Sequence, residues 1–180
     1  MTQHKETELD FWVDKLTNSI ENTISGEVFD TVILLLSPKD KNQIKKKDWT
    51  FNWQLEMRQQ DRSVFKLTTM HNPTIIQGLI SVTNKGDHIF MDLIESAPFN
   101  RGNNKLYIGV AGNLVAFACK LSFESGFDGI VSFISKTQLI EHYKQTLGAK
   151  LFTGNRMFID TKKAMLLVTK YFKEFSYDKL

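Results

Sequence analysis

The stretch that decides the fold is Ile89 to Leu121, which reads IFMDLIESAPFNRGNNKLYIGVAGNLVAFACKL. An apolar strand comes first, a polar loop follows, and Gly-Val-Ala-Gly at residues 109–112 opens directly into a helix. Small residues at a strand-to-helix turn let the backbone approach a ligand closely, and the first N–H groups of a helix favour an anion. The stretch therefore predicts a cradle for a phosphate-bearing ligand. A tight turn without a ligand is the alternative interpretation of such a glycine pair.

The residues after the cradle predict a strand–helix–strand–helix unit. Leu114, Phe117, Ala118 and Leu121 repeat at the 3.6-residue period of a helix, which Gly126 ends. Residues 129–135 then indicate a buried strand, parallel to the one before the cradle. A second helix follows with Ser135 and Gln138 as its capping box, with Ile140, Tyr143 and Leu147 on one face, and with Gly148 at its end.

The rest of the chain is less regular. Four alternating stretches before the cradle predict an antiparallel meander, namely residues 51–57, 65–69, 75–82 and 88–95. Near the beginning, the spacing of Leu9, Trp12, Val13, Leu16 and Ile20 predicts an amphipathic helix, and residues 28–36 predict a strand. At the far end, residues 156–161 predict a strand, and Ala164, Leu167, Val168, Tyr171 and Phe172 predict a last helix.

Two motifs in this order resemble the GNAT superfamily of acyl-CoA-dependent N-acyltransferases. Gly109, Val110 and Ala111 match the family's Gly-x-Gly or Gly-x-Ala, and Leu114 matches its helix leucine. Later in the chain, the family's tyrosine and Leu-Gly-Phe correspond to Tyr143, Leu147, Gly148 and Ala149, with alanine in place of the aromatic residue. The resemblance covers residues 51–161.

The resemblance implies an α/β fold with a mixed α+β sheet, in which an antiparallel meander leads into a strand–helix–strand–helix cofactor motif. It implies one domain over residues 1–180. Within it, residues 1–48 form a divergent N-terminal region and residues 49–180 form the GNAT-like core with a C-terminal helix.

The chain also departs from the family pattern. Where the family has arginine or glutamine before the glycines, Leu106 stands here beside Lys105. A second alignment uses Pro98 to Gly102 as the family's Pro-x-x-Arg-Gly, but it needs extra residues before Ile108. Arg101 and Lys105 are therefore candidate contacts to cofactor phosphates, with ordinary solvated loop charges as the alternative.

The resemblance implies acetyl transfer from acetyl-CoA to an amine, by direct attack on the thioester. It assigns the pyrophosphate to the backbone at Tyr107, Ile108, Gly109, Val110, Ala111 and Gly112, and the pantetheine arm to the strand end at Leu93, Ile94 and Ser96. Tyr143 is the implied general acid. Glu95 is the candidate general base, with Asp92 as second choice. The alternative is a catalytically inactive GNAT-like module that binds or interacts.

Composition narrows the class of protein. With 42% hydrophobic and 24% charged residues, the chain is typical of a globular protein. Neither a membrane span nor a signal core is visible in the sequence, so we expect a cytoplasmic location. Cys119 lies in the amphipathic helix as a small buried residue, and the four histidines, His4, His71, His88 and His142, lack the spacing of a metal site, so we expect no metal.

The partners expected from the sequence are acyl-CoA and an unknown amine acceptor. The net charge is +3, and the basic cluster Lys45 to Lys47 is followed by Trp49 and, later, Trp53. A nucleic acid could meet this cluster, but a solvated loop with core tryptophans is the favoured interpretation. The exposed face of the predicted N-terminal helix is a candidate surface for a homodimer.

Overall fold

The computed structural model describes residues 6–17 and 19–180. Within them, eleven strands and four α-helices form the fold. The strands are β1 (Glu8–Leu9), β2 (Ile20–Asn22), β3 (Val28–Phe29), β4 (Thr31–Leu35), β5 (Ser63–Thr69), β6 (Gly78–Asn84), β7 (Ile89–Ser96), β8 (Tyr107–Ile108), β9 (Val131–Ser135), β10 (Lys150–Thr153) and β11 (Arg156–Ile159). The helices are α1 (Trp53–Glu56), α2 (Val110–Glu124), α3 (Ile140–Leu147) and α4 (Thr161–Tyr171).

The main sheet has the order β10-β11-β9-β7-β6-β5-β4, and β1 adds to it by pairing with β9. Strands β5, β6 and β7 confirm three of the four stretches of the predicted antiparallel meander, and β4 pairs with β5 at the edge where the fourth was expected. Strand β9 runs parallel to β7, as the strand–helix–strand unit predicted. A small second sheet joins β3, β2 and β8.

Two apolar cores lie on the two faces of the main sheet. One contains the buried sides of α2 and α4, because Leu114, Val115, Leu167 and Val168 are all withdrawn from solvent. The other lies under residues 36–57 and contains Trp49 and Trp53, which are 6% and 0% exposed. Because both tryptophans are buried, neither offers a face on which a base could stack.

The three long helices confirm the sequence pattern. Helix α2 begins after Gly109, whose φ of 90° only glycine adopts without strain. Helix α3 ends at Gly148 in the left-handed region, and Asp160 caps α4 by accepting from the Lys163 amide at 2.9 Å. Cys119 is fully buried inside α2, and burial raises the pKa of its thiol. None of the helices in the described residues is long and apolar enough to cross a membrane.

The prediction of an N-terminal helix is wrong. Glu8 and Leu9 form a strand and residues 10–17 belong to no helix. Burial alternates along residues 8–13, with Leu9, Phe11 and Val13 inside and Trp12 58% exposed. The apolar residues therefore follow the two-residue period of a strand as well as the helical one, and pairing with β9 decides between the two. The dimer surface that the helix would have offered is absent from this described segment.

Three smaller predictions are also corrected. Residues 51–57 contain the single-turn helix α1 instead of a strand, and the Asn52 side chain caps this helix by accepting from the Leu55 amide at 3.1 Å. Ser135 donates to the Lys136 carbonyl and caps no helix. Residues 28–36 are divided at Asp30 between two sheets, and the hairpin strand β10 was missed because its residues are all exposed.

Strand β7 carries one extra residue, Asp92, opposite the step from Ser81 to Val82. The Asp92 carboxylate is buried, accepts from the Thr83 hydroxyl at 2.6 Å and lies 3.5 Å from the Arg62 guanidinium. Burial is the largest effect on this group and raises the pKa of Asp92 to about 6. The folded protein thus holds a proton on Asp92 more tightly than the unfolded chain does.

We predict that Asp92 makes the protein less stable as the pH rises from 4 to 7. The raised pKa contributes stability at low pH, and this contribution is lost as the pH passes through about 6. The loss is on the order of 3 kcal/mol. Asp92→Asn removes the titration. In urea unfolding at several pH values, the free energy of unfolding of the variant should therefore rise relative to that of the wild type as the pH increases. A difference that stays constant with pH would contradict this.

Candidate active site

The candidate site lies where β7 and β9 separate. The two strands pair only at Ile89 with Val131 and at Phe90 with Ser132, and beyond these pairs they diverge. Helix α2, which connects them, begins beside the gap. The end of β7 and the start of α2 are the places to which the family resemblance assigned the pantetheine arm and the pyrophosphate.

The gap is filled by the chain itself. We call residues 8–17 the N-terminal segment. Glu8 and Leu9 pair in parallel with Ile134 and Ser135 of β9. The Lys136 amide donates to the Leu9 carbonyl at 3.0 Å, which continues this ladder.

The predicted general acid, Tyr143, faces this segment. Its hydroxyl donates to the Phe11 carbonyl at 2.7 Å, and its ring stacks on the Phe11 ring with centroids 4.5 Å apart. Tyr143 is 0% exposed, and burial raises the pKa of its hydroxyl, which therefore stays protonated. Beside it, the Val13 amide donates to His142 Nε2 at 3.1 Å.

The start of α2 holds a carboxylate. Asp14 Oδ1 accepts from the Gly109 amide at 3.1 Å, and Asp14 Oδ2 lies 3.0 Å from Lys105 Nζ. A carboxylate at a helix N-terminus is favoured by the helix dipole. The predicted cradle therefore lies around an anion, and the anion belongs to the N-terminal segment.

The glycines of the cradle admit neighbouring parts of the chain. A Cβ at Gly109 would overlap Thr17 Oγ1, and one at Gly112 would overlap the Tyr171 hydroxyl. Tyr171 also accepts from the Thr17 amide at 3.1 Å. In this structure both glycines are therefore in contact with the chain itself, as the alternative interpretation of a tight turn expects.

The other cofactor residues predicted from sequence are divided between this corner and the two cores. The Tyr107 amide donates to Asn100 Oδ1 at 3.1 Å, and Ile108 pairs with Glu21 of β2. Val110 and Ala111 are buried in the first turn of α2. Leu93 packs in the core under residues 36–57, on the other face of the sheet.

A cleft of about 260 Å³ remains between the N-terminal segment and the end of β7. It brings together five residues predicted from sequence: Ile94, Glu95, Ser96, Arg101 and Lys105. Asp92 is not among its lining residues, and Tyr143 is separated from it by Phe11.

Glu95, the predicted base, is held by four donors. Its carboxylate accepts from the Thr50 amide at 2.6 Å, the Phe51 amide at 3.2 Å, Trp53 Nε1 at 2.8 Å and the Arg101 guanidinium at 2.9 Å. The side chain is 5% exposed. Glu95 thereby ties residues 50–53 and the loop at Arg101 to the sheet.

No group of three or more His, Cys, Asp or Glu side chains that could hold a metal lies within residues 6–17 and 19–180, and His4 falls outside these residues. The residues that sequence reasoning missed are Phe11 and Asp14. The two-residue alternation of Leu9, Phe11 and Val13 was the signal that could have found Phe11.

Comparison with known proteins places the fold. No protein-family model and no curated protein matches the chain. AtaTR bound with AcCoA has a TM-score of 0.54 at 16% identity, covering 77% of this chain and 98% of that one. A GNAT-family acetyltransferase from Staphylococcus aureus Mu50 has a TM-score of 0.50 at 10% identity, covering 73% and 99%. The chain has the GNAT acetyltransferase fold.

A third GNAT-fold neighbour is a spermidine N-acetyltransferase SpeG chimera from Vibrio cholerae and hSSAT. Its TM-score is 0.51 at 14% identity, and the match covers 76% of this chain and 98% of that one. These likenesses confirm the fold that the two sequence motifs implied. At such low identities they extend to the fold alone.

We predict that Glu95→Gln destabilises the protein by about 2 kcal/mol or more, because four donors lose a charged acceptor and one of them meets an amide NH₂. Urea unfolding measures the change. Glu141→Gln is the matched control, since Glu141 pairs with Lys144 on an exposed surface and should change stability by less than about 0.5 kcal/mol. Equal, small effects for the two variants would contradict the structural role of Glu95.

Proposed function

We propose that the protein is an acyl-CoA-dependent N-acyltransferase, most simply an acetyltransferase that acts on an amine. The observation that carries this proposal is the geometry of β7, α2 and β9. Two parallel strands pair at their beginnings and then diverge, and a cleft lies at the end of β7. We propose that the pantetheine arm enters the gap between the strands, between the start of α2 and this cleft.

The corner at Gly109 supports binding of a phosphate-bearing cofactor. The amide of Gly109, the residue before the first turn of α2, and the Lys105 ammonium already hold the Asp14 carboxylate there. Backbone amides at a helix start, together with a lysine, are also suitable donors for a pyrophosphate. Arg101 lies 2.9 Å from Glu95 in the same cleft and is the second cation within reach.

The proposed reaction is a direct transfer. The neutral amine of the acceptor attacks the thioester carbonyl, a C–N bond forms, the C–S bond breaks, and the thiolate leaves. The amine proton passes through water to a carboxylate, for which Glu95 is the candidate, and Tyr143 is the candidate that protonates the thiolate. Backbone N–H groups at Leu93 to Ser96 are the proposed donors to the carbonyl oxygen.

A second candidate is a GNAT-fold module that interacts with partners without catalysis. The filled gap favours it, because the Tyr143 hydroxyl and the Gly109 amide are engaged by the N-terminal segment. Cofactor binding without turnover on any amine would indicate this candidate.

We predict that acetyl-CoA raises the midpoint of thermal unfolding by a few degrees. At a concentration of about 100 times the dissociation constant, the ligand adds about 2.7 kcal/mol to the stability. Release of CoA with a panel of polyamines, amino acids and lysine peptides then measures transfer.

Two lysine variants test where acetyl-CoA binds. In an Asp14→Asn background, where Lys105 no longer pairs with a carboxylate, Lys105→Ala should weaken acetyl-CoA binding about tenfold in calorimetry, because one charge-assisted phosphate contact is lost. Lys85→Ala removes a lysine that lies over the Phe90 ring, away from the cleft, and should leave affinity unchanged. Absence of binding by acetyl-CoA, CoA and longer acyl-CoAs in the wild type and in every variant would contradict the transferase proposal.

A further inference from the structure

We infer that the N-terminal segment is an intramolecular ligand of the cofactor gap, and that acyl-CoA must displace it in order to bind. The inference rests on the proposed function and adds a regulatory contact to it. Three independent sets of contacts carry it: the backbone of the segment, its buried side chains, and the charge of Asp14.

The backbone places the segment between β7 and β9. The Ser135 amide donates to Asn155 on the β10–β11 side, at 2.9 Å, and the next amide, that of Lys136, donates to Leu9. Successive amides of a strand point to opposite sides. The segment therefore lies on the side of β9 that faces β7, in the gap proposed for the pantetheine arm.

The side chains anchor the segment at alternate positions. Leu9, Phe11 and Val13 are 1%, 8% and 4% exposed and belong to the core around α2. The Phe11 carbonyl accepts the hydrogen bond of the Tyr143 hydroxyl, and the Phe11 ring covers one face of the Tyr143 ring. While Phe11 stays in place, Tyr143 cannot reach a thioester sulfur.

The charge of Asp14 occupies the anion corner. Its two oxygens contact the Gly109 amide and Lys105, the donors proposed for the pyrophosphate. Two anions cannot share these donors without strong repulsion. Binding of the cofactor therefore requires Asp14 to leave.

One movement would release every blocked group. If the N-terminal segment leaves its place up to Thr17, the Tyr143 hydroxyl, the Gly109 amide and Lys105 become available together. The apparent affinity for acyl-CoA is then lowered by the small fraction of molecules in which the segment is displaced. Variants that lock or loosen the segment should move the affinity in opposite directions.

A reversible disulfide tests the lock in the full chain. Glu8 and Ile134 are register partners on adjacent parallel strands, and the strand spacing of about 4.8 Å lies within the Cα separation of a disulfide. For the double variant Glu8→Cys/Ile134→Cys, we expect the oxidised form to bind acetyl-CoA at least about tenfold more weakly than the reduced form. Each single cysteine variant under the same oxidant is the control, and Cys119 is too buried to interfere.

Asp14→Asn tests the release. Without its charge the segment holds the anion corner less tightly, so the variant should bind acetyl-CoA about tenfold more strongly than the wild type. Glu8→Gln is the matched control, because Glu8 is an exposed carboxylate of the same segment, and it should leave the affinity unchanged.

The outcomes separate the inference from the proposed function. Weaker binding in the oxidised form with tighter binding by Asp14→Asn supports both. Binding that is equal in the oxidised, reduced and Asp14→Asn proteins overturns the inference and leaves the proposed function in place. Absence of binding in every form, Asp14→Asn included, overturns the proposed function and the inference with it.

Discussion

Where two parallel strands separate inside a sheet, their backbone donors and acceptors lose their hydrogen-bond partners, and the apolar side chains beneath the gap lose their cover. In this protein β7 and β9 are joined through only two register pairs before they diverge. Buried backbone groups must find hydrogen bonds, so a ligand, water or another strand must enter the gap. The N-terminal segment enters it: its backbone extends the β9 ladder at Leu9, and its alternate side chains complete the core around α2. Because the segment lies in this place, the Tyr143 hydroxyl meets the Phe11 carbonyl and the Gly109 amide at the start of α2 meets the Asp14 carboxylate.

The same segment links the electrostatics of the site to its packing. Asp14 meets the positive end of α2 and the Lys105 ammonium, while three residues earlier Phe11 covers Tyr143. The glycines at 109 and 112 allow Thr17 and Tyr171 to approach this corner closely. A cradle whose composition suits a pyrophosphate thus also suits a carboxylate of the chain itself, because both ligands use helix amides and a nearby cation.

Much of the fold could be predicted from the sequence, because the signals for these elements lie within the elements themselves. Helix α2, strand β9 and helix α3 have strong periodicity and glycine ends, so the strand–helix–strand–helix unit was readable from residues 89–148. The segment at residues 8–17 was misread because its apolar residues satisfy two periods at once, and only pairing with β9, more than 120 residues away along the chain, selects the extended form. The four donors on Glu95 come from residues 50–53 and Arg101, which no short pattern connects.

Hydrogen exchange at the segment, with and without acetyl-CoA, tests the central claim most directly. The Val13 amide donates to His142 and the Thr17 amide donates to Tyr171, so both are protected only while the segment occupies its place. The account predicts that saturating acetyl-CoA speeds exchange at these two amides, while the amides of β6 stay protected. Unchanged or slower exchange at Val13 and Thr17 in the acetyl-CoA complex would contradict it, because the cofactor and the segment would then be bound together.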